Sequence, residues 1–356
     1  MSGNKKIEYK KEVSVTENTV QLQREQNKIT IGDVAEALGV SKTTVSRAIS
    51  GKGRIGEVTR KRVLEYIKEN HYRPNIVAKG LAKSKTYNIG WVMPGDSNIT
   101  ELPFFQRCMI GISEVAAAYD YDILLSMVFA HDISKLKSIV KNCKADGIIL
   151  GRTLIEDESI SFLKETDIPF VVIGSSDDEN VIQIDNDHIE ACRELTSVII
   201  MKGIKKLALI GGSMEHVVNR TRRKGFEMAL MEHGLGKDAG MVYMDCETDS
   251  MVEHATDVCL RGEAECIICA DDRICAAVLN KLNRDGVSIP DRIKVASFYD
   301  SIMLDNYKPA ISSLCYDPKE LGMVACTTLL DYINGKQVQK KILLGYDYAW
   351  GFYKSF

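Results

Sequence analysis

Val40-Ser-Lys-Thr-Thr-Val-Ser-Arg-Ala-Ile-Ser50 has the spacing of a short helix with one apolar face and one polar face. Ser41 is a residue type that caps helix N-termini. The apolar face consists of Val45, Ala48 and Ile49. The polar face carries the side chains of Lys42, Thr43, Ser46 and Arg47. Because these groups donate hydrogen bonds to phosphates and base edges, the segment is predicted to lie in a DNA groove.

A second amphipathic segment, Asp33–Leu38, comes directly before it, and Gly39-Val40 forms the turn between them. Glycine suits this position because the corner of a helix-turn-helix requires a positive φ. The two segments together predict a helix-turn-helix motif, in which the second helix reads the DNA.

The distribution of charge supports a DNA-binding head on a separate body. The whole chain of 356 residues carries a net charge of −3, but residues 27–87 carry +8 and residues 88–356 carry −12. Since duplex phosphates attract only the basic part, the acidic body is expected to stay off the DNA. The length of the chain is sufficient for two or three domains.

Cysteine usage and hydropathy indicate a protein of the reducing cytoplasm. The 10 cysteines have no recurrent spacing, and the N-terminus is polar rather than a signal segment. The pair Cys266-Ile-Ile-Cys269 lies in an apolar run that is predicted to be a buried strand, so its thiols point to opposite faces. We therefore expect no metal, no cofactor and no membrane partner.

Four regions are predicted along the chain. Residues 1–27 are polar without an apolar period and are expected to be a disordered leader. Residues 28–73 form the helix-turn-helix domain, whose third helix is predicted from Glu57 to Asn70 with an apolar stripe of Val58, Val63, Leu64 and Ile67. Phosphate contacts are expected from Lys52, Arg54, Arg60, Lys61 and Arg62.

Residues 74–87 are predicted to be a hinge helix and linker. Pro74 is suited to the first turn of a helix, and the short run that follows has an apolar side of Ile76, Val77 and Leu81. A helix of this length is not stable alone in water. We expect it to fold only when it is paired, for example with its copy in a dimer on DNA.

These motifs closely resemble the lactose/galactose-repressor (LacI/GalR) family of bacterial transcription regulators. The resemblance rests on the pattern from Asp33 to Arg47, on Gly51-Lys-Gly-Arg54, and on Tyr72-Arg-Pro-Asn with Ala78 and Leu81. It implies that Lys42, Thr43 and Arg47 face bases and that Leu81 is inserted into the minor groove, where an apolar side chain unstacks a base step. The residues expected to contact DNA are Thr30, Ser41, Lys42, Thr43, Thr44, Ser46, Arg47, Arg54, Asn75, Ala78 and Leu81.

Residues 88–356 alternate short apolar strands with helices, which predicts parallel sheets covered on both faces. Strands are predicted at 89–93, 123–126, 147–150, 170–173, 206–210, 241–244, 266–269 and 294–298. The main helices are predicted at 104–119, 187–201, 222–233 and 272–284. The resemblance implies a two-lobe α/β domain like that of periplasmic binding proteins, with a ligand cleft between the lobes and three crossings of the hinge.

Polar groups follow the carboxyl ends of several predicted strands, where doubly wound sheets bind ligands. The residues expected to bind an effector are Asp96, Phe104, Arg222, Asp271, Tyr299 and Asp300. Carboxylates and a guanidinium in one cleft suit the paired hydroxyls of a sugar, whereas the cluster of Arg220, Arg222 and Arg223 leaves a phosphorylated or carboxylated effector open. Asp271 has the alternative role of a helix cap.

Two departures from the family pattern keep the identity of the ligand open. Four residues are inserted between Asn98 and Phe105, and Cys246 stands where relatives often carry an aromatic platform for the ligand. The C-terminal tail lacks leucine heptads, so a homodimer rather than a tetramer is expected. The helix 103–119 offers Phe105, Met109 and Ile112 either as a dimer interface or as core.

The sequence thus predicts a ligand-responsive repressor that binds a pseudo-palindromic operator as a homodimer. A solute-binding protein shares the two-lobe body but requires export. An enzyme is not expected, because no phosphate loop, nucleophile elbow or zinc-ligand pattern occurs. Control of the body by a protein corepressor remains an alternative to control by a small molecule.

Overall fold

The structure, a computed structural model, describes residues 29–51, 53–72, 80, 85–95, 102–129, 132–236 and 240–351. The chain divides into two compact units, with the division between Lys85 and Thr86. The predicted leader lies outside the described residues, as does most of the predicted hinge helix.

The described part of the first unit contains the helices α1 (Ile31–Leu38), α2 (Lys42–Ser50) and α3 (Glu57–Glu69). Their buried faces enclose a small core of Val34, Ala35, Val45, Ala48, Val63 and Tyr72. The predicted stripe of α3 is correct for Val63 and for the partly buried Ile67, but it is wrong for Val58, which is 82% exposed, and for Leu64. Val58 lies in the first turn of α3, outside the part of the helix that packs against α1 and α2.

The first lobe of the second unit is built on a parallel sheet. Its helices are α4 (Leu102–Ala118), α5 (Ser134–Lys141) and α6 (Glu158–Lys164). Its strands are β1 (Asn88–Pro94), β2 (Asp122–Val128), β3 (Gly147–Leu150), β4 (Phe170–Ile173) and β5 (Gln183–Asn186), completed by α11 (Pro318–Ile333) and β11 (Lys341–Leu344). The strand order is β11-β5-β4-β3-β1-β2. Apolar clusters cover both faces of this sheet, as predicted.

The second lobe repeats this strand order as β12-β10-β9-β8-β6-β7. Its strands are β6 (Leu207–Ile210), β7 (Gly240–Tyr243), β8 (Cys266–Cys269), β9 (Lys294–Ser297), β10 (Ser312–Cys315) and the antiparallel β12 (Asp347–Ala349). Its helices are α7 (His188–Met201), α8 (Val217–Glu232), α9 (Asp249–Arg261) and α10 (Asp272–Arg284). Cys266 and Cys269 lie in clusters on opposite faces, which confirms the prediction that their thiols point apart.

The chain crosses between the lobes three times, after β5, after β10 and after β11. The crossing segments contact one another, because the Asn186 side-chain amide donates to the Gly345 carbonyl at 3.1 Å. The ring of Tyr316, in the second crossing segment, lies 6.5 Å from the ring of Tyr346, in the third. The expected two-lobe fold with three crossings is therefore confirmed.

The sequence missed β5, β10, β11 and β12. Strand β5 reads Gln-Ile-Asp-Asn, so its polar residues concealed it, yet all four residues are buried. Each polar group has a partner; for example, the Gln183 side-chain amide donates to the Asp178 carbonyl at 3.0 Å. Helix α8 begins at Val217, five residues before the predicted start at Arg222, because a polar run from Asn219 to Lys224 separates its first two valines from the rest of its apolar residues.

Helices α4 and α11 cross at a pair of glycines. A Cβ on Gly111 would lie 2.0 Å from the Lys319 carbonyl oxygen, and a Cβ on Gly322 would lie 2.1 Å from the Cys108 carbonyl oxygen. Only hydrogen atoms fit at this crossing, so the two backbones are in direct contact.

The apolar stripe of α4 belongs to the core of the first lobe. Phe105 is 5% exposed and Ile112 is fully buried, and the partly buried Met109 packs against the same cluster. The alternative in which this stripe forms a dimer interface is therefore wrong, since these side chains face β1 and α11. In the described part of the chain, no helix is both long and apolar enough to cross a membrane.

Candidate DNA-binding surface and interlobe cleft

The polar face of α2 is open to solvent, with all four of its predicted contact residues exposed: Lys42, Thr43, Ser46 and Arg47. The opposite face is anchored by Val45 and Ala48, which are both fully buried. The sequence therefore fixes which side of α2 is presented. A short rigid helix with an ammonium, a guanidinium and two hydroxyls on one face has the chemistry for contacts to bases and phosphates.

Thr30 and Ser41, which were predicted to contact DNA, are helix caps. The Thr44 N–H donates to Ser41 Oγ at 3.1 Å, and the half-buried Thr44 hydroxyl lies 2.9 Å from the same oxygen. Thr30 and Asp33 form a reciprocal capping box on α1, with the Thr30 N–H donating to Asp33 Oδ2 at 2.7 Å. Hydrogen bonds from the Thr30 backbone and side chain lower the pKa of the Asp33 carboxyl. These bonds fix the ends of both helices.

The corner between α1 and α2 has the predicted geometry. Gly39 has φ 63°, and its N–H donates to carbonyls of the last turn of α1. At the other end of α2, the Arg47 side chain lies against Gly53, because a Cβ there would be 3.2 Å from Arg47 Cδ. Gly53 also has φ 88°, so the loop both turns sharply and leaves room for the guanidinium stem.

The basic residues outside α2 differ in whether their side chains are free in solvent or bonded to other groups of the protein. Arg54 is exposed, as a phosphate contact requires, and Lys61 lies 4.0 Å from Glu65 on the surface of α3. Arg62, by contrast, donates to the Leu38 carbonyl at the end of α1. This bond joins α3 to the helix-turn-helix corner, and the phosphate contact expected of the exposed Arg62 stays a prediction. Lys52 and the predicted contacts Asn75, Ala78 and Leu81 lie outside the described residues.

A row of aromatic rings runs between the two lobes. Phe104, at the start of α4 in the first lobe, meets Tyr299 of the second lobe edge-on at 6.3 Å. Tyr299 stacks on Tyr316 at 6.1 Å with an interplanar angle of 12°. Tyr316 in turn meets His188 at 4.9 Å. The row brings two of the predicted ligand residues together and connects them to the first two crossing segments.

Arg222 supplies the charge beside this row. It is 8% exposed, and its guanidinium carbon lies 5.9 Å from the centre of the Tyr299 ring. Its Nε is buried without a hydrogen-bond partner among the described residues.

Asp272 is a second buried charged group near Arg222. Burial raises the pKa of Asp272, whereas a hydrogen bond from Ser301 and the charge of Arg222 act in the opposite direction. A buried guanidinium with an unused donor faces a ring here, which is an arrangement suited to a polar ligand.

The other predicted ligand residues are engaged within their own lobe. Asp271 is the cap of α10 and accepts from the Ile274 N–H at 2.8 Å. The Asp300 carboxylate accepts from Cys315 Sγ at 3.3 Å. Asp96 lies outside the described residues. Cys246 is buried with its thiol directed at the carbonyls of Tyr243 and Met244, so it presents no platform to a ligand.

The first crossing segment carries a buried contact between a carboxylate and an imidazole, one from each lobe. His188 Nε2, at the start of α7, lies 3.3 Å from Asp185 Oδ1 on β5. Asp185 also accepts from Ser175 Oγ at 2.8 Å and from the Asn186 N–H at 2.8 Å. Burial alone would raise the pKa of this carboxyl, but the charge and the hydrogen bond of His188, with the other two donors, hold the pKa below its ordinary value.

A short antiparallel bridge joins the lobes beyond the carboxyl ends of β3 and β6. Leu154 pairs with His216, and the Ile155 N–H donates to the Glu215 carbonyl at 3.0 Å. The lobes are therefore in contact both at the crossing segments and at this bridge.

Sequence reasoning missed Tyr316, His188 and Asp185 as members of this centre. It placed Asp272 with Asp271 at a polar strand end but chose Asp271 as the expected ligand residue. The signal for Asp272 was present, because in Asp271-Asp272 the first carboxylate is the cap and the second belongs to the first turn of α10. Tyr316 and Asp185 escaped attention together with β10 and β5, which were not predicted.

Two family models match the chain. The model described as bacterial regulatory proteins of the lacI family matches residues 30–75, and the model of a periplasmic binding protein-like domain matches residues 181–347. The first match contains α1, α2 and α3, and the second contains the three crossings and most of the second lobe.

Similar proteins agree with these models. The chain is 31% identical to the HTH-type transcriptional regulator MalR of Streptococcus pneumoniae, over 88% of this chain and 95% of that protein. It is 30% identical to the catabolite control protein A of Priestia megaterium, over 88% and 96%. The solved lac repressor dimer bound to operator and the anti-inducer ONPF has the same fold, with a TM-score of 0.74, 21% identity and coverage of 91% and 98%. The chain therefore belongs to the LacI family of bacterial helix-turn-helix transcriptional regulators.

Proposed function

We propose that this regulator is a repressor that binds a pseudo-palindromic operator as a homodimer and is controlled by a small molecule, most simply a sugar, in the interlobe cleft. The observation that carries the DNA-binding part is the exposed polar face of α2, fixed in place by two caps and a buried apolar face. The proposal includes a cytoplasmic location, because operator DNA lies there, and no catalytic activity.

An exposed edge strand supports the homodimer. Strand β2 is the last strand of the first sheet, so its outer edge lacks a neighbouring strand. Leu125 and Met127, alternate residues of this strand, are 49% and 46% exposed, and Phe129 just beyond it is 50% exposed. A row of apolar side chains on an open sheet edge favours association, and an interface with a second copy covers it.

The cleft supports a ligand with several hydroxyls or an anionic group. Tyr299 offers an aromatic face, Arg222 offers an unused donor, and Asp272 offers a buried carboxylate within the field of that guanidinium. Aromatic surface combined with a few charged hydrogen-bonding groups is typical of a polar ligand site. Because Arg222 is a cation, carboxylated and phosphorylated sugars belong in the same screen as neutral sugars.

Arg47→Ala is expected to weaken binding to the operator by about 5- to 150-fold, the range that one specific arginine–base contact accounts for. The operator is first selected from random duplexes with the full-length protein, and each variant is then titrated on it. Lys68→Ala serves as control, since it removes the same charge from an exposed position on α3. Equal losses in Arg47→Ala and Lys68→Ala, or an equal loss on unrelated duplex, would contradict base reading by α2.

A thermal-shift screen tests the cleft. At one hundred times its dissociation constant, a ligand adds about 2.7 kcal/mol of stability. Mono- and disaccharides, sugar phosphates and sugar acids are screened, and we expect at least one hit that Arg222→Ala abolishes. Arg220→Ala is the matched control, because Arg220 is exposed on the same helix and donates to the Met214 carbonyl at 2.9 Å. A hit that survives in Arg222→Ala would remove this residue from the site, and no hit would favour a protein corepressor.

A further inference from the structure

The entry of the chain into the second unit is held by a single carboxylate. Asp146, which directly precedes β3, accepts from the Thr86 N–H at 2.6 Å and from the Thr86 hydroxyl at 2.8 Å with one oxygen. Its other oxygen accepts from the Tyr87 N–H at 3.0 Å. Thr86 is the first residue of the unit, so these bonds act on the residue that follows the linker.

Neighbouring groups make this attachment stiff. The Tyr121 hydroxyl also hydrogen-bonds Asp146, and its ring lies 5.4 Å from that of Tyr87. Tyr87 itself has φ 58°, a left-handed conformation that a tyrosine adopts only when its surroundings enforce it. The Asn88 N–H donates to the Thr86 hydroxyl at 3.1 Å, and the Asn88 side-chain amide donates to the Lys144 carbonyl at 3.0 Å. The direction of the backbone is thus fixed from Thr86 onward.

The second lobe contains a simpler version of the same attachment. Glu265 directly precedes β8 and accepts from the Lys205 and Lys206 N–H groups at 2.6 and 2.9 Å. Both bonds go to one oxygen. Because β8 pairs with β6 as β3 pairs with β1, Glu265 occupies the position in the second sheet that Asp146 occupies in the first. The chain that enters β6 comes from the same lobe, whereas the chain that enters β1 comes from Lys85 of the other unit.

We propose that Asp146 is a positioning residue for operator binding: it fixes the direction in which the backbone passes from the linker into the first lobe, and operator affinity depends on that direction. The inference rests on the proposed function. Glu265 indicates that two hydrogen bonds to one oxygen are sufficient to anchor the start of such a strand. Asp146 accepts through both of its oxygens and bonds two hydroxyl groups as well. This larger network gives the rigid connection that coupling between two units requires.

Asp146→Asn and Glu265→Gln are the test pair. Each variant removes one negative charge. Asparagine at 146 replaces one of two accepting oxygens by an NH₂ that cannot accept, whereas the single amide oxygen of glutamine at 265 can keep both bonds. Loss of a negative charge by itself favours binding to DNA phosphates, so a purely electrostatic effect does not weaken binding in either variant. If Asp146 fixes the direction of the linker, operator binding becomes weaker in Asp146→Asn and not in Glu265→Gln. Weaker binding therefore indicates a loss of positioning, because the loss of charge does not weaken binding.

Full-length wild type and both variants are titrated with the selected operator and with a random duplex, and their thermal unfolding is measured. We expect Asp146→Asn to weaken operator binding at least tenfold, with binding to the random duplex unchanged or tighter. Glu265→Gln is expected to bind the operator within twofold of wild type. Wild-type operator affinity in Asp146→Asn, or an equal loss in both variants, would overturn the inference while leaving the proposed function intact. A wild-type protein without any sequence preference would overturn the proposed function itself.

Discussion

Gly111→Ala is expected to lower the free energy of unfolding by about 3 kcal/mol, the upper part of the range for overpacking in a core. The added Cβ would lie 2.0 Å from the Lys319 carbonyl oxygen and 2.9 Å from the Met323 nitrogen. Both are backbone atoms of α11, which cannot turn aside as the end of a side chain can. The two helices must therefore separate, and they enclose most of one apolar cluster of the first lobe.

The sign of this effect makes the test sharp. Alanine is the better helix former by about 1 kcal/mol, so Gly111→Ala would stabilise the protein if the helices did not touch. Urea unfolding is the measurement. Gly236→Ala is the control, because a Cβ there meets no atom within 4 Å and its φ is not left-handed; its stability is expected to stay within about 0.5 kcal/mol of wild type. A midpoint for Gly111→Ala at or above the wild-type value would show that the crossing is not close.

Asp185→Asn is expected to destabilise the second unit by about 1–3 kcal/mol at neutral pH, the cost of leaving buried hydrogen-bond donors without their acceptor. The carboxylate accepts hydrogen bonds from Ser175 and Asn186 and pairs with His188 across the first crossing. An amide at this position carries no charge for His188 and offers only one acceptor oxygen. Asp167→Asn, at an exposed position between α6 and β4, is the matched control and is expected to have little effect.

The pH dependence of the Asp185 effect has a definite direction. The pKa of Asp185 in the folded protein lies below its ordinary value of 3.8, which applies to the unfolded chain. The stabilisation is therefore fully present above pH 3.8 and is lost as the pH falls through the folded-state value. We expect the difference in unfolding free energy between wild type and Asp185→Asn to shrink as the pH is lowered from about pH 4.5 through the folded-state pKa of Asp185. A difference that stays unchanged or grows over that acidic range would contradict stabilisation by the Asp185 carboxylate.

The sequence was sufficient to predict those parts of the fold in which a single residue type or a short pattern determines the local conformation. Gly39 indicated the left-handed corner, and the spacing of Val45 and Ala48 indicated which face of α2 is buried. The boundaries of β3, β4, β8 and α10 agree with the prediction because apolar runs begin and end sharply there. These features depend on neighbours in the sequence, so a periodic pattern is sufficient to find them.

The centre of the cleft could not be predicted in the same way, because its residues depend on partners far along the chain. Asp185 is buried because Ser175, His188 and the crossing segments surround it, and its own strand has too few apolar residues to be noticed. Arg62 is a surface-like residue in the sequence, yet it meets the Leu38 carbonyl across the head. Asp146 is likewise an ordinary loop aspartate until Thr86 is placed beside it. In each case the pairing, rather than the residue type, carries the information.

The order of elements in the first lobe has a consequence for synthesis on the ribosome. Helix α11 supplies Leu321, Ala325, Cys326, Leu329 and Leu330 to the core of that lobe, and β11 forms one edge of its sheet. A nascent chain that has emerged only as far as residue 310 lacks both elements. The DNA-binding head is made long before then, because the core that the structure describes there lies within residues 29 to 72. We therefore expect the head to fold while translation continues, whereas the first lobe, although most of it is made earlier than the second, closes its core only when translation is almost finished.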